Sequence, residues 1–134
     1  VFQPKKRKYA KEFRGNMRGI SSRGTTLSNG EYGIKAIDRG WINSNQIESA
    51  RKAINNFTKR KSKLWIKIFP HKSVTKKADE QVRGGGKGPV DHYVAVVRPG
   101  LILFELSGVT EDVAIQALKR ASSKIPVKTK IVSK

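Results

Sequence analysis

The sequence predicts an α+β protein in which two helices pack on a mainly antiparallel sheet. Three observations carry that expectation. Two segments show apolar stripes at helical spacing. Five short apolar or alternating segments are bounded by turn residues. The resulting order, β-α-β-loop-β-β-α-β, contains no repeat and no long low-complexity tract.

The first strand is Tyr32-Gly33-Ile34-Lys35-Ala36-Ile37, which alternates as a half-buried strand does. Asp38-Arg39-Gly40 reads as a turn. Asn43 can cap the first helix, with Gln46 three residues on in a capping-box arrangement. Ile47, Ala50, Ile54 and Phe57 form its apolar stripe, with Lys52, Asn55 and Lys59 opposite and Arg51 and Arg60 at the flanks. Leu64–Phe69 is the second strand, placing Leu64, Ile66 and Ile68 on one face until Pro70 ends it. Residues 70–91 form a long connection containing Arg83-Gly84-Gly85-Gly86-Lys87-Gly88-Pro89. Connections of that length in a compact domain are usually functional or disordered. Tyr93–Val97 and Leu101–Leu106 follow as two strands joined through Arg98-Pro99-Gly100 as a tight hairpin. Thr110 can cap the second helix, where Glu111 and Asp112 suit the positive N-terminal end. Val113, Ala117, Leu118 and Ala121 form its stripe, Pro126 stops it, and Val127–Val132 is the last strand.

Charge points to a partner. The chain has 134 residues with 29 Lys+Arg against 10 Asp+Glu, a formal +19. Hydrophobic residues at 37% still provide for a core, so acids have been exchanged for bases rather than apolar content lost. A surface of this kind repels itself until a polyanion neutralises it, and nucleic acid is the commonest polyanion in a cell. The charge falls in blocks. Residues 1–27 form a basic N-terminal arm carrying Lys5, Lys6, Arg7, Lys8, Lys11, Arg14, Arg18 and Arg23 against one acid, Glu12. Its few apolar residues show no period, so on its own it should be disordered. Residues 28–134 form a single domain, with 70–91 as its extended loop. Between Ala50 and Ala78 lie Arg51, Lys52, Lys59, Arg60, Lys61, Lys63, Lys67, Lys72, Lys76 and Lys77, and no acid. A merely solvated face normally carries both signs, so this helix and strand are expected to share a nucleic-acid-binding surface.

Other chemistry finds little support. There is no cysteine, which excludes a disulfide framework, a Cys-ligated zinc site and a Cys nucleophile. No apolar run approaches the roughly 20 residues that span a bilayer, and no apolar stretch follows Lys5–Lys8 as in a secretory signal; no membrane partner is expected. Gly86-Lys87-Gly88 resembles the end of a P-loop. That motif needs Gly where Gln81 stands and Ser or Thr where Gly88 stands, so nucleotide hydrolysis is not expected. The glycines instead let the backbone approach a phosphate or base closely, with Arg83 and Lys87 adding charge; the alternative is a plain surface turn. His71 and His92 lack partners at metal spacing, the ten acids form no general acid–base pair, and no metal or cofactor is expected. Trp41, Trp65 and the Tyr and Phe residues do not alternate as on a base-stacking sheet, so most should serve packing.

Several collinear blocks resemble the bacterial and organellar family of large-subunit ribosomal protein sixteen. They are Phe2–Tyr9, Gly30–Ala36, Gln46–Arg51, Lys63–Pro70, Gly86–Gly88, Tyr93–Ala95, Leu103–Glu105 and Lys124–Thr129. The resemblance implies an α+β domain on large-subunit rRNA near the aminoacyl-tRNA site, supporting subunit assembly and tRNA positioning without catalysis. It implies that the arm lies among rRNA helices, that Arg51 and Lys52 match helix contacts, and that the loop Arg83, Gly84, Gly85, Gly86, Lys87 and Gly88 reaches toward the tRNA cleft. The implied partners are rRNA, aminoacyl-site tRNA and neighbouring ribosomal proteins, with no homo-oligomer. The implied location is the ribosome of a bacterial cytoplasm or of an organelle matrix, mitochondrial or plastid. Two departures stand out. The family's loop reads Val-Arg-Met-Gly-Lys-Gly-Lys-Gly, whereas Val82–Gly88 is one residue shorter after the arginine, and its approach, Lys77–Gln81, is one longer and lacks the usual proline. The family's arginine therefore corresponds to Arg83 with compensating gaps, or to Val82 without them. Trp41–Asn45 replaces a basic approach to the first helix, so that contact is lost or replaced by stacking.

The candidate RNA contacts are Lys5, Lys6, Arg7, Lys8, Lys11, Arg14, Arg18, Arg51, Lys52, Lys59, Arg60, Lys63, Lys67, Lys72 and Lys77. Two rival readings remain at this stage. One is a general nucleic-acid-binding or DNA-compacting protein; the other, an RNA-modifying enzyme, would need a cofactor motif that the sequence does not display.

Overall fold

The computed structural model describes residues 24–75 and 90–134. The arm residues Lys5, Lys6, Arg7, Lys8, Lys11, Arg14 and Arg18, together with Lys77 and the loop Arg83–Gly88, lie outside the described residues. In chain order the elements are β1 (Tyr32–Ala36), β2 (Gly40–Asn43), α1 (Ser44–Thr58), β3 (Lys63–Ile66), β4 (Lys72–Thr75), β5 (Val90–Val97), β6 (Ile102–Ser107), α2 (Glu111–Ser122) and β7 (Thr129–Ser133). The α+β class is as the sequence predicts. The single sheet is not: four strands pair in the order β3-β6-β1-β7 and three in the order β2-β5-β4, every pair antiparallel. The helices pack on each other, with α1 also against β2 and β5 and α2 against β1 and β7. Each helix therefore covers one sheet.

The expected hairpin is corrected. A turn does form at Arg98–Leu101, where the Leu101 N–H donates to the Arg98 carbonyl at 3.2 Å. It links two sheets rather than two paired strands. Gly100 N–H donates to Ala36 O (2.7 Å), and Ala36 N–H donates to Leu101 O (2.8 Å). The backbone leaving the turn is thereby captured by β1, while β5 turns its edges to β2 and β4.

Two strands were not foreseen. β2 lies where a turn and a helix approach were expected, and β4 lies inside the expected 70–91 loop. Both have four residues, too few for a period to show, and both are held by backbone pairing with β5. Strand pairing of β3 stops at Ile66 rather than Phe69, although Lys67 N–H still donates to Leu103 O at 2.9 Å. Leu64, Ile66 and Ile68 all join the core, whereas Phe69 is 46% exposed.

The core is one cluster around Phe104, Ile34, Leu103 and Leu106, continued by Ile47, Ala50 and Ile54 of α1 and by Ala114, Ala117, Leu118 and Ala121 of α2. In α2, Ala114 takes the buried place expected of Val113. Alanines in both buried stripes suit a close approach of the two helices. Thr110 is the N-cap of α2, but its side chain makes no capping bond; its carbonyl accepts from Ala114 N–H at 2.9 Å.

The cap of α1 is complete. Gln46 N–H donates to Asn43 Oδ1 and Asn43 N–H donates to Gln46 Oε1, both at 2.9 Å. Two otherwise orphaned amides are satisfied reciprocally. Asn43→Ala should therefore lower stability by about 1 kcal/mol. The check is a lower denaturant midpoint with an unchanged slope; an unmoved midpoint would show that water replaces the cap.

Candidate nucleic-acid interface

The buried stripe of α1 turns Lys52, Asn56 and Lys59 outward, where all three are exposed. Thr58 closes the stripe, its hydroxyl donating to Ile54 O at 2.9 Å. Arg51 is half-buried and pairs with Glu48 one turn back, Nη2 to Oε2 at 3.0 Å. The Arg51 hydrogen bond holds the Glu48 carboxyl below its usual range. Partly exposed pairs of this kind are weak, so Arg51 can exchange Glu48 for a phosphate with little loss.

Behind the helix the chain reverses through Lys59 and Arg60, at φ 53° and 61°. Arg60 N–H donates to Asn55 O and Lys61 N–H to Thr58 O, both at 3.0 Å. These bonds satisfy carbonyls at the helix end, and bases near that end also complement its partial negative charge. The reversal carries the exposed Arg60 and Lys61 into β3, where Lys63 is exposed and its ammonium stands 5.2 Å from the Trp65 ring centroid. Exposed bases thus run on from the helix through this turn to the start of β3. The two halves of this run have different supports, since α1 packs on α2 and β3 pairs with β6.

Two residues of the candidate set do other work. Lys72 is buried at 7% exposure, with its ammonium 5.2 Å from the Trp41 ring centroid; a buried ammonium is not presented to a phosphate. Lys67 is exposed in part, but Nζ lies 3.3 Å from Glu105 Oε2 and bonds Asn29 Oδ1.

Glu105 is the residue that sequence reasoning missed. Its side chain is fully buried in β6. Oε1 accepts from the backbone N–H groups of Ser28 (3.0 Å), Asn29 (2.8 Å) and Gly30 (2.8 Å), and the Ser28 hydroxyl reaches Oε2 at 3.3 Å. Burial pushes the carboxyl pKa up, but the three amides and Lys67 outweigh it, and the net shift is downward. Gly30 is required at this point: a Cβ there would stand 2.7 Å from Leu106 N and 2.9 Å from Glu105 Cβ. The visible signal was a lone acid within Leu101-Ile102-Leu103-Phe104-Glu105-Leu106, an apolar run that should bury it. The carboxylate thereby ties residues 28–30 to β6. The junction reaches further back, since Gly24 O accepts from Ile102 N–H at 2.7 Å, inside the stretch assigned from sequence to the arm.

Among the described residues the histidines join no cluster of the kind that holds a metal. His71 is exposed beside Phe69 O, and among the described residues no three His, Asp or Glu side chains gather as a metal would need.

An α+β domain with exposed cations along one helix and the turn behind it, and with the buried Glu105 carboxylate occupied internally, defines a strongly basic α+β protein. A family model described as ribosomal protein L16p/L10e matches residues 4–132. The chain belongs to that family, and so it is a structural protein of the large ribosomal subunit, associated on the ribosome with rRNA and other ribosomal proteins. Membership favours the ribosomal reading over the DNA-compacting alternative.

Proposed function

We propose that this chain binds large-subunit rRNA beside the aminoacyl-tRNA site, supports assembly of the subunit and helps to position tRNA. The observation that carries the reading is the run of exposed bases Lys52, Lys59, Arg60, Lys61 and Lys63 along one helix, its following turn and the start of β3, in a chain of this family. The domain supplies a rigid basic face. The arm bases Lys5–Lys8, Lys11, Arg14 and Arg18 thread among rRNA helices as phosphates replace their counterions. The loop Arg83–Gly88 extends toward tRNA, its glycines allowing close backbone approach and Arg83 and Lys87 meeting phosphate.

Large subunits reconstituted without the chain, and then with wild type or an Arg83→Gln/Lys87→Gln variant, test both parts. Wild type should sediment with the subunit through a high-salt wash and restore aminoacyl-tRNA binding. The variant should sediment equally but bind tRNA about tenfold more weakly, the loss of about 1.4 kcal/mol over two ionic contacts. Unchanged tRNA affinity would remove the tRNA role; release of wild type by the wash would remove the rRNA role.

A further inference from the structure

The helices border a second basic feature, in which Lys52 and Lys59 of the candidate set face two bases outside it. An open groove of about 810 Å³ runs between α1 and α2, bordered by Lys52 and Lys59 on one side and by Arg120 and Lys124 on the other. Among the described residues no carboxylate lines it. Phe57 contributes an aromatic surface, with the Arg120 guanidinium 4.7 Å from its ring centroid. A guanidinium resting against a ring is held in orientation while its N–H edge stays available to an anion. Four cations facing one space repel each other, and an anion in the groove reverses that repulsion.

A second observation points the same way. Lys59 borders the groove, and it and Arg60 occupy left-handed backbone positions, φ 53° and 61°. Glycine is the usual residue just past a helix end because side chains disfavour that conformation. Two consecutive bases therefore stand where the backbone prefers glycine, and strain retained in this way marks a position kept for its side chain.

We propose that the α1–α2 groove is a phosphodiester-backbone site for RNA, with Lys52 and Lys59 on one side of a strand and Arg120 and Lys124 on the other. The inference rests on the rRNA-binding reading and enlarges it, by adding α2 to the contact surface. RNA fits better than an acidic protein segment. The groove sets two cations on each of its sides, which suits repeated phosphates more than alternating side chains.

The test uses the full chain and transcribed large-subunit rRNA, titrated between 50 and 200 mM salt. Arg120→Gln/Lys124→Gln is compared with Lys128→Gln/Lys130→Gln, which removes the same charge from exposed positions in and beside β7. The groove variant should bind about tenfold or more weakly, with a salt slope shallower by about 1.4–1.8 for two lost phosphate contacts. The β7 variant should change less than about threefold. Lys59→Gly should bind more weakly while its Tm holds or rises. Equal losses in the two double variants would overturn the groove and leave rRNA binding intact. Wild-type-like RNA binding by the groove variant, even with a neighbouring protein lost from the subunit, would overturn it in favour of a protein occupant. No salt-dependent binding by wild type would instead overturn the reading beneath.

Discussion

Glu105→Ala should lower the stability of the domain by about 3–5 kcal/mol, the usual penalty for removing one partner from a buried ionic network. In a chain of this size that is a fall in Tm on the order of 10 °C or more. The substitution orphans the amides of Ser28, Asn29 and Gly30, leaves the Lys67 ammonium without its 3.3 Å partner and opens a space in β6. Glu105→Gln fills the space and keeps an acceptor, so its loss should be smaller, about 1.5–3 kcal/mol for the charged component of the hydrogen bonds. Both are read from thermal or denaturant unfolding. A loss below about 1 kcal/mol for the alanine variant would show that water replaces the carboxylate and that the cradle contributes little.

The same residue sets an acid limit. Its carboxyl is held below the ordinary glutamate value, so the folded chain binds this proton less readily than the unfolded chain. The stabilisation is complete above the unfolded pKa of about 4.3 and is lost as pH falls through the lower folded value. Wild type should therefore lose stability steeply below about pH 4, and Glu105→Gln should show a flatter acid limb. Parallel acid limbs would assign the acid sensitivity elsewhere.

Affinity for rRNA should fall about 10³–10⁵-fold between 50 and 200 mM salt if roughly six to ten phosphates are engaged, by analogy with duplex DNA. The structure sharpens which basic residues produce that slope. Lys52, Lys59, Arg60 and Lys63 are exposed, and each should contribute about 0.7–0.9 to it when bound to phosphate. Lys67 is committed to Glu105, and Lys72 is buried beside Trp41. Lys67→Gln should thus lower Tm and leave the slope nearly unchanged, whereas Lys63→Gln should do the reverse. A flat salt response of wild type would remove the electrostatic account altogether.

What could be read in advance follows the range of each interaction. The α1 cap was legible because Asn43 and Gln46 are three residues apart and satisfy each other. The buried stripes were legible because helical periodicity repeats within a few turns, with slips from Val113 to Ala114 and from Phe57, which is only partly buried, to Thr58. The hairpin was misread because Arg98–Leu101 does form a turn, and nothing near it in sequence reveals that β1, some 60 residues earlier, captures Gly100 and Leu101. β4 stayed hidden because Lys72 and Ser73 are polar residues buried by pairing with β5. The cradle was invisible for the same reason, since its donors lie 75–77 residues from Glu105.

By itself, then, the sequence determined the α+β class, the two helices with their inward faces, the one-signed charge between Ala50 and Ala78 and the family likeness. These reside in composition, in short-range periodicity and in collinear blocks. Tertiary structure alone decided that the strands divide into two sheets, that Lys67 and Lys72 turn to internal partners, and that Arg120 and Lys124 meet Lys52 and Lys59 across a groove. Strand partners and side-chain exposure depend on segments distant in the chain, and the same lysine is a phosphate ligand or a structural counter-charge according to what folds beside it.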